Sequence, residues 1–128
     1  PSGGLLLLAL DNSIASYTFY LGALRQGCPA IVINAGGREL ADRLLKTYAP
    51  QGSWSPERGF ERLNHGQSCE VHPDLALLLS TSGSTGATKL VRLSATAVDE
   101  NARAIGDYLD LDAEERAITT LPPGYCYG

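Results

Sequence analysis

The sequence predicts an α/β fold: βαβ units with a mainly parallel sheet flanked by helices, forming part of a larger domain. Two observations lead there. Short apolar runs end in turn residues, at 5–10, 29–34 and 75–80. Segments with apolar residues at helical spacing alternate with them.

Each element has its own signal. "LLLLAL" (5–10) reads as a buried strand, closed by Asp11, Asn12 and Ser13, all helix-capping types. Ile14, Tyr17, Leu21 and Leu24 fall at helical spacing, and Gly27 is placed to end that helix. "PAIVIN" (29–34) is a second strand, "GG" a turn, and Leu40, Leu44, Leu45 and Tyr48 mark a second helix. Residues 50–74 carry punctuating Gly and Pro, mixed charge and no sustained period. The expectation there is an irregular stretch pinned by Trp54, Phe60 and Leu63, with a short element around 68–71. "LALLLS" (75–80) and "KLVRLS" (89–94) are strands. Thr96 and Asp99 have capping-box spacing before a helix carrying Val98, Ala102, Ile105 and Leu109. "AITTL" (117–121) reads as a last strand and "PPGYCYG" as a turn.

Bulk properties exclude several classes. The chain has 128 residues, of which 44% are hydrophobic, enough for a real core and unlike a disordered tail. Its formal net charge of -4 favours neither nucleic acid nor an anionic membrane as partner. The longest apolar run, 5–10, falls far short of the roughly 20 residues of a spanning helix. The three cysteines, Cys28, Cys69 and Cys126, are widely spaced with no CxxC pair, which argues against zinc and fits reduced thiols in the cytoplasm. No His lies close in sequence to Cys126, so a nucleophile there lacks a nearby base. His65 and His72 read as solvated. The lack of Met, the start at Pro1 beside an apolar strand and the stop at Gly128 lead us to expect a piece of a longer chain.

The chemistry concentrates in "STSGSTGATK" (80–89). Gly83 and Gly86 permit positive φ and a close backbone approach to a ligand. Successive backbone N–H groups in such a loop form an anion-binding nest. Thr81, Ser82, Ser84 and Thr85 add hydroxyl donors, and Lys89 adds a positive charge at the exit. A Walker loop does not fit. Counted from Gly83, its second Gly falls on Thr88, its Ser/Thr falls on Leu90, and the following segment reads as a strand. The composition also suits a linker or a plain turn.

The stretch resembles the phosphate-loop signature of the adenylate-forming, or AMP-binding, superfamily, which includes acyl-CoA synthetases and peptide-synthetase adenylation domains. Thr81, Ser82, Gly83, Ser84, Thr85, Gly86 and Lys89 match that signature; Thr88 and Leu90 replace its usual Pro and Gly. "FYLGALRQGCPAIVINA" (19–35) is similar to the family's early helix–strand unit. "TTLPPGYCYG" (119–128) is similar to its next motif, with Tyr125 where His is common.

The resemblance implies that residues 1–128 are the N-terminal portion of the large AMP-binding domain, with the C-terminal domain absent. It implies an ATP-dependent ligase that activates a carboxylic acid as an acyl-adenylate, releases pyrophosphate, and passes the acyl group to a thiol, of coenzyme A or a carrier protein, or to an amine. Residues 81–86 and Lys89 would bind phosphate, and Tyr125 would stand on the substrate side. The family uses ATP with Mg2+, but its magnesium-holding acidic motif, ribose-binding Asp and catalytic Lys are not among these residues. The isolated piece is therefore expected to be inactive and, through exposed apolar edges, prone to self-association. The alternatives are a non-catalytic relative that keeps the fold for binding or assembly, and an unrelated phosphate-binding α/β domain.

Overall fold

The computed structural model describes residues 4–63, 70–80 and 89–125. It contains β1 (Leu6–Leu10), α1 (Ile14–Arg25), β2 (Ala30–Asn34), α2 (Arg38–Tyr48), β3 (Gly52–Ser55), β4 (Gly59–Arg62), β5 (Leu75–Ser80), β6 (Leu90–Ser94) and α3 (Ala95–Tyr108). One six-stranded sheet runs in the order β4-β3-β1-β2-β5-β6. The four inner strands are parallel to one another, and β4 and β6 are added antiparallel at the two edges. This is the α/β architecture expected, a mainly parallel sheet with one antiparallel strand at each edge.

β1, β2 and β5 are largely apolar because both faces are covered. Leu8, Leu10, Ala30 and Val32 face one layer, which receives Phe19, Tyr20, Ala23 and Leu24 of α1 and Val98 of α3. Leu7, Ile31 and Ile33 face the other, which receives Leu40, Leu44, Leu45 and Tyr48 of α2. Alternate residues of one strand therefore serve two cores, as the period of two requires.

The ends of α1 are well specified. Ser13 is its N-cap, with the hydroxyl accepting from the Ser16 amide at 3.2 Å. At the other end the Cys28 amide donates to the Ala23 carbonyl and the Gly27 amide to the Leu24 carbonyl. That paired pattern needs a left-handed residue, which Gly27 supplies with φ 66°.

Several expectations are corrected. Of the residues expected on the buried side of α1, Leu24 packs on the core, but Ile14 is 87% exposed and Leu21 is exposed as well. The face inserted is Ser16, Phe19, Tyr20, Ala23 and Leu24. Both sides of α1 carry apolar residues, and packing selects the side with small residues close to the sheet and aromatics further along. Residues 52–62, expected to be irregular, form the β3–β4 hairpin. Trp54 does pin it, being buried in the core, whereas Phe60 is about half exposed. Phe19 stacks on both, with centroids 5.3 Å from Trp54 and 5.7 Å from Phe60. The element expected around 68–71 lies partly outside the described residues, and Glu70 and Val71 are not in a strand.

The α3 cap is Ser94, whose hydroxyl accepts from the Ala97 amide at 3.1 Å. Thr96 is already helical, and Asp99 binds Arg103 one turn on, at 2.8 Å, rather than closing a capping box. Residues 117–121 are not a strand: no neighbouring strand pairs with them among the described residues, and Ile118 is 88% exposed. An apolar β-prone run without a ladder partner cannot satisfy its backbone as a strand.

Candidate functional site

The two parallel crossovers place the site. The chain leaves β1 for α1 on one face of the sheet and leaves β2 for α2 on the other. β1 and β2 are neighbours, so the sheet opens a crevice at their carboxyl ends, where α/β proteins bind ligands. β5 lies next to β2, parallel to it, so its carboxyl end reaches the same edge.

β5 and β6 form an antiparallel pair, and the phosphate-loop candidate lies between them in sequence. Ser80 pairs with Leu90 as the last rung of the ladder, at the carboxyl end of β5. This is the strand–loop–strand arrangement predicted, and it excludes the strand-to-helix turn of a Walker loop. Thr81, Ser82, Gly83, Ser84, Thr85 and Gly86 lie outside the described residues. Lys89 is described: it stands exposed, one residue before β6.

The "LPPGY" segment arrives at the same edge from a distant part of the chain. The Tyr125 amide donates to the Pro122 carbonyl at 3.0 Å, closing the predicted turn. Gly124 is buried against the end of β2, and its amide donates to Asn34 Oδ1 at 3.0 Å. A Cβ on Gly124 would lie 2.6 Å from the Asn34 amide nitrogen and 2.7 Å from the Ile33 carbonyl carbon, both backbone atoms. Only glycine fits this approach. Tyr125, the substrate-side candidate, follows directly and is 43% exposed.

The turn after β1 forms the third wall. Asp11 Oδ1 accepts hydrogen bonds from the Ser13 hydroxyl, the Ser13 amide and the Ser16 hydroxyl, and the Asp11 amide donates back to Ser16 Oγ at 3.1 Å. The Ser13 hydroxyl, followed by that of Ser16, holds the Asp11 carboxyl below its usual 3.8. Ser16 is fully buried and fully used by this network, so it is a structural serine and not a nucleophile.

The structure brings Lys89 and Tyr125, both named by sequence reading, to one edge of the sheet; Asn34 was missed, because nothing in the sequence pairs position 34 with position 124. No group of three or more His, Cys, Asp and Glu residues placed to hold a metal occurs among the described residues. A cavity of about 440 Å³ opens on the α2 face at the carboxyl ends of β1 and β2, lined among others by Ala9, Asp11, Ile33, Ala35, Arg38 and Asp42. Neither Lys89 nor Tyr125 lines it.

Solved structures share this fold. ATP-bound MatB from Rhodopseudomonas palustris superposes over 100% of this chain and 32% of its own, with a TM-score of 0.76 and 18% identity. IdnL1 covers 94% of this chain and 29% of its own, at TM-score 0.66 and 19% identity. The N-terminal subdomain of NpsA from Klebsiella oxytoca covers 73% and 30%, at TM-score 0.53 and 19% identity. The chain thus spans about a third of the length of the solved chains it matches. No protein-family description and no curated protein matches the sequence. At the level of fold, the chain matches a part of each of these solved chains.

Proposed function

We propose that the chain is the N-terminal portion of the large domain of an adenylate-forming ligase. The observation that carries this reading is one of assembly. Three sequence segments that separately resemble family motifs meet at the carboxyl edge of one sheet: the end of β2, the mouth of the β5–β6 hairpin, and the 122–125 turn. The shared fold with the solved structures supports it.

In this reading the nest of residues 81–86 and Lys89 hold the β- and γ-phosphates of ATP, and Tyr125 borders the carboxylic acid. ATP supplies the leaving group: the acid's carboxylate oxygen bonds to the α-phosphorus, the bond from that phosphorus to pyrophosphate breaks, and an acyl-adenylate remains. The protein's part is to position the reactants and to neutralise charge as pyrophosphate departs. The described residues fit the phosphate role through Lys89. They offer no cluster for Mg2+, so no step here is assigned to the metal. The acyl group then passes to a thiol, of coenzyme A or a carrier protein, or to an amine. These 128 residues alone are inactive in this reading, because the remaining two-thirds of a matched chain's length would complete the site. Exposed Ile105, Tyr108, Leu109 and Ile118 support self-association of the isolated piece. A cytoplasmic location accords with three widely spaced cysteines and no CxxC pair.

The test is ATP–pyrophosphate exchange in the longer protein, across a panel of carboxylic acids. Acid-dependent exchange supports the reading. A folded protein that exchanges with none of them refutes it in favour of a binding or assembly role.

A further inference from the structure

We infer that Asn34 is a positioning residue: its side chain latches the 122–125 turn, and with it Tyr125, onto the carboxyl end of β2. Three observations converge. The contact joins residues 90 apart in sequence, through Gly124 N to Asn34 Oδ1 at 3.0 Å. The turn can sit there only because Gly124 lacks a Cβ, which would otherwise strike the Asn34 and Ile33 backbone at 2.6–2.7 Å. Asn34 is the one exposed residue of β2; the other four are buried and belong to the core. Position 34 therefore contributes its amide group rather than apolar packing.

The polarity of the latch follows from donor chemistry. A backbone N–H can only donate, so position 34 must present an acceptor, which the side-chain oxygens of Asn and Asp both supply and Ala does not. The backbone contributes too: the Ala35 amide donates to Leu10 O at 2.9 Å and the Gly37 amide to Asn34 O at 3.0 Å. These bonds fix the strand end, so the Asn34 side chain projects from a rigid base. Adjacent strands lie about 4.8 Å apart, which puts the latched turn on β2 one strand away from β5. Losing the latch should therefore disturb the Tyr125 side of the crevice more than the phosphate side. That consequence for acid binding rests on the function proposed above; the latch itself is a property of the fold.

The experiment compares wild type, Asn34→Ala, Asn34→Asp and Gly124→Ala. Hydrogen exchange at the Gly124 amide, read by NMR in this chain, should accelerate about tenfold in Asn34→Ala and stay near wild type in Asn34→Asp. Buried β2 amides should be unaffected in both. Gly124→Ala should shift the Tyr125 ring resonances by pushing the turn off β2 from the opposite side. In the longer protein, Asn34→Ala should raise KM for the acid about tenfold, change KM for ATP less than about twofold, and be rescued by Asn34→Asp. Unchanged Gly124 exchange in a folded Asn34→Ala protein overturns the latch, as does equal acceleration in Asn34→Asp. An equal rise in both KM values overturns its selective effect on the acid side. A wild type without acid-dependent exchange refutes the proposed ligase instead, and the Gly124 amide still decides the latch.

Discussion

Replacing Phe19 by alanine tests how the β3–β4 hairpin is held to the body of the domain. The Phe19 ring packs against both Trp54 and Phe60, stacked on each within 25° of parallel. A fully buried Phe→Ala change costs about 3–5 kcal/mol, and each aromatic pair contributes about 0.5–1.5 kcal/mol beyond its area. Phe19 is partly buried, so the expected loss is about 3 kcal/mol, the lower end of that range with the stacking retained. Trp54 is the only tryptophan of the chain and is 7% exposed, so its fluorescence reports this contact directly. In urea, with a slope near 2 kcal/mol per molar, the unfolding midpoint should fall by about 1.5 M. Native emission should move to the red as water reaches the indole. A loss under about 1 kcal/mol with unchanged emission would mean that the hairpin is held by its strand pairing with β1 and not by the aromatic stack.

Other substitutions probe the turns that set the crevice. Ala49 ends α2 in a left-handed conformation at φ 42°, which costs an L-residue about 1 kcal/mol, so Ala49→Gly should raise stability by that order in urea unfolding. Ser13→Ala removes the α1 cap and should cost about 1 kcal/mol in the same assay. The Asp11 carboxyl is held below 3.8 in the folded state, so the unfolded chain takes up its proton more readily. Its stabilising effect is present above about pH 4 and lost as pH falls through the lowered value. Asp11→Asn should flatten that acid limb of the stability profile, and an unaltered limb would show that the Asp11–Ser13–Ser16 network does not hold the turn.

How much of this was legible in the sequence depended on whether the deciding interaction was local. β1, β2 and β5 could be read because residues buried on both faces must all be apolar. Gly27 and Ser13 act within one turn of α1, so capping chemistry located them. The buried face of α1 was not legible, because both sides of the helix carry large apolar or aromatic residues and only the sheet distinguishes them. The β3–β4 hairpin was hidden by its shortness: four residues per strand leave little period to detect, and Phe19 stabilises it from another element. Residues 117–121 show the converse, a β-prone run without a partner. At the site, the loop composition raised anion binding as an expectation, while the Asn34–Gly124 contact exists only once β2 and the 122–125 turn are folded together.

The central claim is tested most directly by following oxygen. The longer protein is supplied with ATP, its best acid labelled with 18O in the carboxylate, and a nucleophilic amine. Attack of the carboxylate on the α-phosphorus leaves one labelled oxygen bridging acyl and phosphate, and release of the acyl group leaves that oxygen in AMP. The account predicts 18O in AMP and none in pyrophosphate, with the rate falling about a hundredfold or more in Lys89→Ala. Label appearing in inorganic phosphate, or AMP formed without label, would contradict it.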